Sequence, residues 1–581
     1  MSEYKPISDY GVIGNLRAAA LVAKNGSIDW ACLPDLDSPS VFARLLDSRR
    51  GGHFRVWVPE ATTQGQAYAA QTNVLLTRFG CSSGIGEVED LMPIEGRHAI
   101  LRIVRAIGGP VRFRAECLPR FDYGRQQHRT HEGQDIVHFE SPSLCLDLTC
   151  PTPYRLVESG VESEFTLSAG ESVIWILSAR GVQEQRPQAS ALKAAFEDAP
   201  TRTLDYWRQW LAQCPYRGRW RREVERSLLV LKLLTHRPSG GIAAAVTTSL
   251  PEVIGGENNW DYRFCWVRDA CWTVDAFMSL GYHEEARAFM GSLAHRFEDG
   301  GSRDPLDVAY SLSGTSLEET TLDHLEGYRG SRPVRVGNAA AFQRQLDVYG
   351  EYARAALRFD AAVDRISHED WRWLQSMGAW LIDHLDDADA GLWESRGERK
   401  HFVHSKVQIW VALDSLLELA SRRSLPLDVN RVRQARDQVA DAIRRDAWSH
   451  TRTSYTATFG GSEVDAALLF LEQSGLFCAA DDPFMETLAT LEKELLIGRA
   501  LMRRRRDERN AFCACSFWLA EVLARCGRRE RARDVLERML TYANHLGLYS
   551  EEIQVNGDLI GNFPQALTHL ALIRAVLALE E

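Results

Sequence analysis

The chain has 581 residues, 45% hydrophobic and 25% charged, with 68 basic against 79 acidic side chains and a net charge of −11. That length exceeds what one core supports, so about two or three domains are expected. The acidic balance disfavours nucleic acid and anionic membrane as partners and suits a neutral small molecule. The N-terminus lacks a basic segment followed by an apolar stretch, and the apolar runs near Leu228 and Ala243 fall short of a membrane span, so a cytoplasmic protein is expected. The twelve cysteines are scattered without a CxxC pair and read as reduced, mostly core, thiols.

From residue 1 to about 190 the pattern is that of β structure. Ala18 to Val22, Lys24-Asn25-Gly26 and Ser27 to Leu33 form a predicted hairpin whose Asn-Gly step suits a type I′ turn. His53 to Val58 alternates apolar and polar residues, and short runs recur at Ile100 to Ala106, Val111 to Cys117, Ile136 to Phe139, Leu144 to Leu148 and Ser172 to Ser178. Many short strands at this spacing indicate an antiparallel β-sandwich. Residues 191–220 read as a linker region. Ser190 to Ala199 is a predicted bridging helix capped by Ser190, which Pro200 ends or kinks before a restart over Thr201 to Trp210.

From residue 221 to 581 the period becomes helical. Roughly twelve helices, each about 10–20 residues long by that periodicity, are predicted to start near Arg222, Val267, Glu284, Asn338, Glu369, His404, Asp428, Val464, Pro483, Phe512, Arg529 and Phe563. Twelve helices without a repeating sequence unit fit six hairpins closed into an (α/α)6 barrel rather than a solenoid. The fold class expected is therefore multidomain β + α, a sandwich followed by the barrel.

Four loop segments concentrate chemistry. Asn259–Asp269 packs four aromatics, two arginines and two aspartates into eleven residues. Sugar sites need that mixture, because aromatic faces cover pyranose C–H surfaces while Arg and Asp pair with vicinal hydroxyls. A capped helix start with core tryptophans has the same composition. Leu317 to Asn338 could offer Arg332 and Arg335 to a polar ligand, or could be a solvated loop. Gly391–Arg396 places Glu394 directly after Trp393, where desolvation would keep a carboxyl protonated, and His404 and Lys406 follow. Tyr549-Ser550-Glu551-Glu552 precedes Gly561-Asn562-Phe563-Pro564, a helix entry whose proline fits the first turn; solvated loop acids would look the same. The run Arg503 to Arg506 reads as a solvated loop before a helix. Phosphate loops, HExxH and GxSxG are missing, which leaves carboxylates as catalytic groups, and glycoside hydrolysis uses two.

These segments, in this order, resemble glycoside hydrolase family 15, the bacterial trehalase and glucoamylase-like enzymes, over nearly the whole chain. The resemblance rests on ISDYGVIGNLRAAALVAKNGSIDWACLPDLDSPSVFARLLD at the opening, then NWDYRFCWVRDA, LEGYRGSRPVRVGNAA, LWESRG with HSKVQIWVALD, and YSEEI with GNFPQALTHLALI. It implies that Glu394 is the general acid and Glu551 the general base, with Glu552 the competing choice. It also implies that Trp266, Arg268 and Asp269 grip the non-reducing glucose, and that Trp393, Arg332, His404 and Lys406 stand near the pocket. One departure is the loop RRRRDERN, where the family would have a more acidic, glycine-containing segment; this bears on contacts to the leaving group.

The activity implied is exo-acting hydrolysis of an α-glucoside with inversion, releasing β-glucose, without metal or organic cofactor. The two carboxylates of an inverting enzyme stand roughly 6.5–9.5 Å apart. α,α-Trehalose is the substrate favoured by the resemblance; maltooligosaccharide or isomaltose hydrolysis is the alternative, and a catalytically inactive carbohydrate-binding protein on the same fold is the non-enzyme alternative. Oligomeric state is not legible.

Overall fold

A computed structural model describes residues 4–298, 305–477 and 481–581. The N-terminal region is built from two antiparallel eight-stranded sheets. One carries the strands Tyr10–Gly14, Ala19–Ala23, Ser27–Cys32, His53–Trp57 and Val111–Leu118. The other carries Ala99–Gly108 and Ser172–Arg180 at its centre. The predicted strands are all present, but the first hairpin turns differently. Gly26 N–H donates to the Ala23 carbonyl at 2.8 Å, and Gly26 (φ 77°) has a positive φ while Asn25 does not. A type I′ turn needs positive φ at both central residues, so the step closes as a type I turn ending in a glycine bulge. A side chain at Gly26 would meet the Val56 carbonyl at 2.0 Å.

The sheets are tied by a buried ion pair as well as by apolar packing. Arg102 and Asp90 of one sheet pair at 2.7 Å with neither side chain exposed. The same guanidinium donates to the carbonyls of Phe54 at 2.6 Å and Gly26 at 2.7 Å on the other sheet. Such a pair is tolerated in a core because every donor finds an acceptor.

Two helices follow, α1 (Ala189–Ala195) and α2 (Ala199–Ala212). Ser190 lies inside α1, whose N-cap is Gln188 without a side-chain cap. Pro200 opens α2 rather than ending α1, in keeping with proline's fit to a first turn.

The remaining helices are α3 (Arg221–Leu234), α4 (Val267–Ser279), α5 (His283–Glu298), α6 (Asp347–Ala362), α7 (His368–Asp383), α8 (Val403–Arg423), α9 (Val429–Asp446), a 3-10 helix Ala466–Ser474, α10 (Asp482–Leu495), α11 (Cys513–Arg525), α12 (Arg529–Leu540) and α13 (Ala566–Glu580). They alternate outside and inside. α4 packs on α6, α6 on α8, α8 on the 466–474 helix, that helix on α11, α11 on α13, and α13 back on α4, which closes a ring. Composition follows position. The inner α11 is buried at every residue from Cys513 to Ala524, whereas the outer α12 buries Ala532, Val535, Leu536 and Met539, one stripe at helical spacing.

Two predicted starts shift. Asn338 opens only a short 3-10 turn, Ala339–Phe342, and the long helix begins at Asp347. Pro564 precedes α13 by two residues instead of occupying its first turn. The sandwich braces the ring: the Trp30 indole donates to the Val246 carbonyl at 2.7 Å and Asn73 to the Leu229 carbonyl at 2.9 Å.

Candidate active site

A cavity of about 540 Å³ opens among the loops that precede the inner helices. The extended segment leading into α4 supplies two of its walls at once. Trp260 and Tyr262 line the cavity, while the intervening Asp261 and Arg263 point the other way, as alternation along an extended chain requires. Arg263 grips Asp261 through two bonds of 2.9 and 2.6 Å and donates to the Ser38 carbonyl of the sandwich at 2.8 Å. Asp261 accepts in turn from Gly337 N–H at 3.1 Å. Half of the aromatic-acidic motif is therefore scaffold and half is site.

Trp266 ends that segment, and Arg268 and Asp269 fall in the first turn of α4. The Trp266 indole N–H donates to Glu394 Oε1 at 2.6 Å, and Arg268 donates to the same oxygen at 3.3 Å. Arg268 also meets Gln345 Oε1 at 3.0 Å, Asp347 Oδ2 at 3.3 Å and Asp269 Oδ2 at 3.3 Å. Burial opposes the Arg268 charge, but these carboxylates outweigh it and hold the guanidinium protonated. Glu394 exposes 21% of its side chain, toward the cavity. Its backbone is left-handed (φ 55°), an uncommon state for this residue type. It is held there by Glu394 N–H on the Gly391 carbonyl at 3.0 Å and Gln343 on the Glu394 carbonyl at 3.2 Å. Burial pushes its carboxyl above the usual range, against the pull of Arg268.

The second group of acids stands where the chain enters the short strand Glu552–Ile553, with Glu551 just before it. Glu551 has no exposed surface. Its Oε1 accepts from the Tyr262 hydroxyl at 2.6 Å and its Oε2 from Asn562 N–H at 3.2 Å. Gly561 (φ 76°) makes room for it, since a Cβ there would come 2.7 Å from Glu551 Oε2. Tyr262 and Trp266 meet edge to face with centroids 5.5 Å apart, so Glu551 and Glu394 are joined by a chain of two aromatic side chains along the cavity wall.

Glu552 lines the cavity itself and accepts from Arg504 at 3.0 Å. Arg504 also donates to Glu252 at 2.6 Å and to Glu508 at 3.0 Å. Burial, together with the neighbouring Glu252, raises both Glu551 and Glu552 above the carboxylate range. The expectation of a solvated basic loop is thus corrected at Arg504, while Arg505 and Arg506 are exposed as expected. Arg504 is 12% exposed at its side chain, and Arg504, Arg505, Asp507, Glu508, Arg509 and Asn510 form one side of the cavity. The three acids already gathered there draw the arginine inward.

Two family models match the chain: that for the glycosyl hydrolases of family 15 over residues 218–577 and that for a trehalase-like N-terminal region over residues 2–176. The chain belongs to glycosyl hydrolase family 15. It is 36% identical to a trehalase of Thermoplasma volcanium, covering 100% of this chain and 94% of that one. It is 34% identical to a trehalase of Mycolicibacterium smegmatis over 99% of this chain and 91% of that one. A crystal structure of a bacterial glucoamylase complexed with acarbose superposes with a TM-score of 0.73 at 12% identity, over 99% of this chain and 94% of that chain. That likeness establishes the shared fold, a sandwich joined to an (α/α)6 barrel.

In this family 15 hydrolase the cavity collects Trp266, Arg268, Asp269, Trp393, Glu394 and Glu552 of the residues singled out in the sequence. Others lie elsewhere, Glu551 among them, fully buried behind Tyr262 and not part of the cavity lining. Arg332 is exposed and turns back to the Glu326 carbonyl at 3.4 Å, outside the cavity wall. Lys406 braces the turn after α7 by donating to the carbonyls of Leu385 at 2.5 Å and Asp387 at 2.7 Å. His404 is buried behind the wall against the Phe470 ring, 5.4 Å between centroids, and burial lowers its pKa to about 4, so it is neutral. A lysine or histidine near a helix start carries no mark of which side of the wall it faces.

Sequence reasoning overlooked Tyr262, Trp260, Glu252, Asp347 and Arg504. Tyr262 stood inside the quoted motif, two residues beyond Trp260, and the alternation Trp-x-Tyr could have flagged both. Glu252 and Asp347 had no local signal.

Proposed function

We propose that this hydrolase cleaves α,α-trehalose by single displacement, with Glu394 as general acid and Glu551 as general base, releasing β-glucose from the glycosyl half. The observation that carries the mechanism is the placement of one carboxyl at each end of the Trp266–Tyr262 pair, Glu394 on the cavity wall and Glu551 buried behind the Tyr262 hydroxyl. Glu394 Oε1 takes both donors, which leaves Oε2 on the cavity side to carry the proton that passes to the glycosidic oxygen as the C–O bond breaks. Glu551 withdraws a proton from water as that water's oxygen bonds to the anomeric carbon from the opposite face. Neutral donors hold Glu551, whereas Arg504 holds Glu552. Glu551 stands outside that ion pair, which favours it as the base.

Trp266, Arg268, Asp269 and Trp393 would bind the terminal glucose. Asp269 lines the cavity, and its buried Oδ2 has only the ion pair with Arg268 at 3.3 Å, which leaves it room to accept from a sugar hydroxyl. The substrate reading is supported by full-length similarity to trehalases, and the cavity volume lies within the range of small-ligand sites. A division into residues 1–190, 191–220 and 221–581 belongs to the same proposal, supported by the last sandwich strand ending at Arg180 and the ring opening at Arg221. A cytoplasmic setting suits the eleven described cysteines, all unbridged.

The deciding experiment is a panel of trehalose, maltose, isomaltose and soluble starch, with fresh product followed by proton NMR. Trehalose turnover with initial β-anomer is expected. Turnover of maltooligosaccharides with trehalose untouched would replace the substrate reading, and initial α-anomer from both halves would remove the mechanism.

A further inference from the structure

A second cavity, of about 180 Å³, lies farther along the inner ring, lined among others by Trp272, Glu351, Arg354, Arg358, Gln473 and Arg574. Its position follows from the helices that build it. On α4 the active cavity takes Arg268 and Asp269 from the first turn, and the second cavity takes Trp272 and Asp275 further along. On α6, Asp347 is the first residue and Arg354 lies two turns beyond it. Trp518 lines the active cavity and Trp272 the second one, and their rings pack edge to face at 5.8 Å with Phe470 against both. An aromatic wall therefore separates the two spaces.

Four arginines and two acids, Asp275 and Glu351, line this cavity in a chain that is acidic overall. Three of the arginines are accounted for. Arg358 donates to Asp275 at 2.7 Å, Arg525 to Glu521 at 3.2 Å, and Arg574 to Glu521 at 3.0 Å and to Gln473. Cations also collect near helix C-termini, where they meet the partial negative charge of the last carbonyls. Neither reason covers Arg354. It lies in the middle of α6 and is half-buried, and among the described residues no carboxylate or carbonyl hydrogen-bonds its guanidinium. Glu351, one turn back, and then Asp275 are the acids that act on its charge from a distance, and Glu351 Oε1 is taken by Gln408 at 2.5 Å. Burial lowers the Arg354 pKa and raises that of Glu351, each the mark of charge short of a partner. Gln473 Nε2, in the same cavity lining, is a buried donor without an acceptor. Buried donors in proteins are almost always matched, and a guanidinium fork matches planar or tetrahedral oxyanions.

We propose that this basal cavity is a binding site for a small inorganic oxyanion, gripped by Arg354 and Gln473 with Arg358 and Arg574 at its sides. Of the unmatched acceptors nearby, Asp275 Oδ1 lines the cavity but stands 2.7 Å from Arg358; Glu472 Oε2 and Glu521 Oε2 do not line it, burial raising the pKa of Glu472 and Arg525 and Arg574 pairing with Glu521 through its other oxygen.

Inorganic phosphate is the probe, with sulfate and acetate compared at constant ionic strength on the full chain. Calorimetric titration should show one saturable site for phosphate. Thermal unfolding should rise by about 2–4 °C at a hundredfold excess over Kd, as ligand linkage and the size of the ring require. Acetate should do less, having fewer oxygens for four donors. Arg354→Gln should weaken phosphate at least tenfold. In anion-free buffer it should unfold no earlier than wild type, because the charge it removes has no partner. Arg354→Lys should bind phosphate with intermediate strength. Phosphate binding unchanged in Arg354→Gln, an equal response to chloride, or no saturable heat in wild type would each overturn the site. If Arg354→Gln fails to fold, Gln473→Leu with wild-type titration decides, since loss of affinity there is expected and its retention would count against the proposal.

Discussion

The two carboxyl ends of the active cavity are built alike in charge and differently in contact. Each has one guanidinium among three acids: Arg268 with Asp269, Asp347 and Glu394, and Arg504 with Glu252, Glu508 and Glu552. At the first end, the arginine and an indole both address one oxygen of Glu394 and leave the other turned to the cavity. At the second, the arginine passes over Glu551, which is held one oxygen at a time by a phenol and a backbone amide. A carboxyl with one free oxygen can carry a proton to substrate. A carboxylate held only by neutral donors keeps its basicity, because no cation stabilises its ionised form directly. On the proposed mechanism, this difference in contact is what would give the same side chain opposite tasks in one cavity.

The sharpest way to break that contrast is to remove each acid in turn. Glu394→Gln should lower kcat by about 10²–10⁴-fold, the usual worth of a positioned acid or base, with unchanged circular dichroism. Glu551→Gln should cost a similar factor under the same assay. Glu552→Gln should cost less, because its carboxylate is occupied by Arg504. The reverse ranking of these last two would make Glu552 the base and Glu551 its neighbour.

Much of this was legible beforehand, and the illegible parts share a cause. The period switch at the end of the sandwich, the helix starts from Val267 to Arg529 other than Asn338, and the Trp-Glu step at Glu394 are local patterns, and local patterns are written in consecutive residues. The pairing of Tyr262 with Glu551 spans 289 positions, and Arg504 meets Glu252 across 252. Nothing in either short segment announces the other. For the same reason a run of four arginines looked solvated: the carboxylates that bury Arg504 come from three separate stretches of chain. The type I′ turn failed for a local reason, a bulge placed after Ala23 that the Asn-Gly step permits as readily.

Weaker perturbations sharpen the same contrast through pH. Arg504 is the cation in direct contact with Glu252, Glu508 and Glu552, and Glu551 feels it as a lowering influence. Arg504→Gln removes that influence, so the base should titrate higher. The ascending limb of kcat/KM should then move to higher pH, by about 1–3 units if the loss is that of a close opposite charge. The descending limb, set by Glu394 losing its proton, should stay where it is. Tyr262→Phe should act in the same direction with a smaller amplitude, near tenfold at the optimum, since it removes one hydrogen bond to a carboxylate.

The smallest effect tests whether the cavity boundary is drawn correctly. Arg332 and Arg335 stand three residues apart in one loop, and sequence alone offers both to a ligand. Arg335 lies over the Trp260 ring at 4.4 Å and pairs with Glu319 at 3.3 Å, while Arg396, two residues after Glu394, covers Trp260 at 3.9 Å and shares Glu319. Trp260 is therefore held by two guanidiniums at the cavity rim, and Arg335→Ala should raise KM severalfold by loosening it. Arg332 touches only the Glu326 carbonyl, at the limit of hydrogen bonding. Arg332→Ala should leave both kcat and KM within about twofold of wild type, as surface changes away from special features do. A rise in KM confined to Arg332→Ala would mean that this loop closes over the sugar in a way that brings Arg332, and not Arg335, to the leaving group.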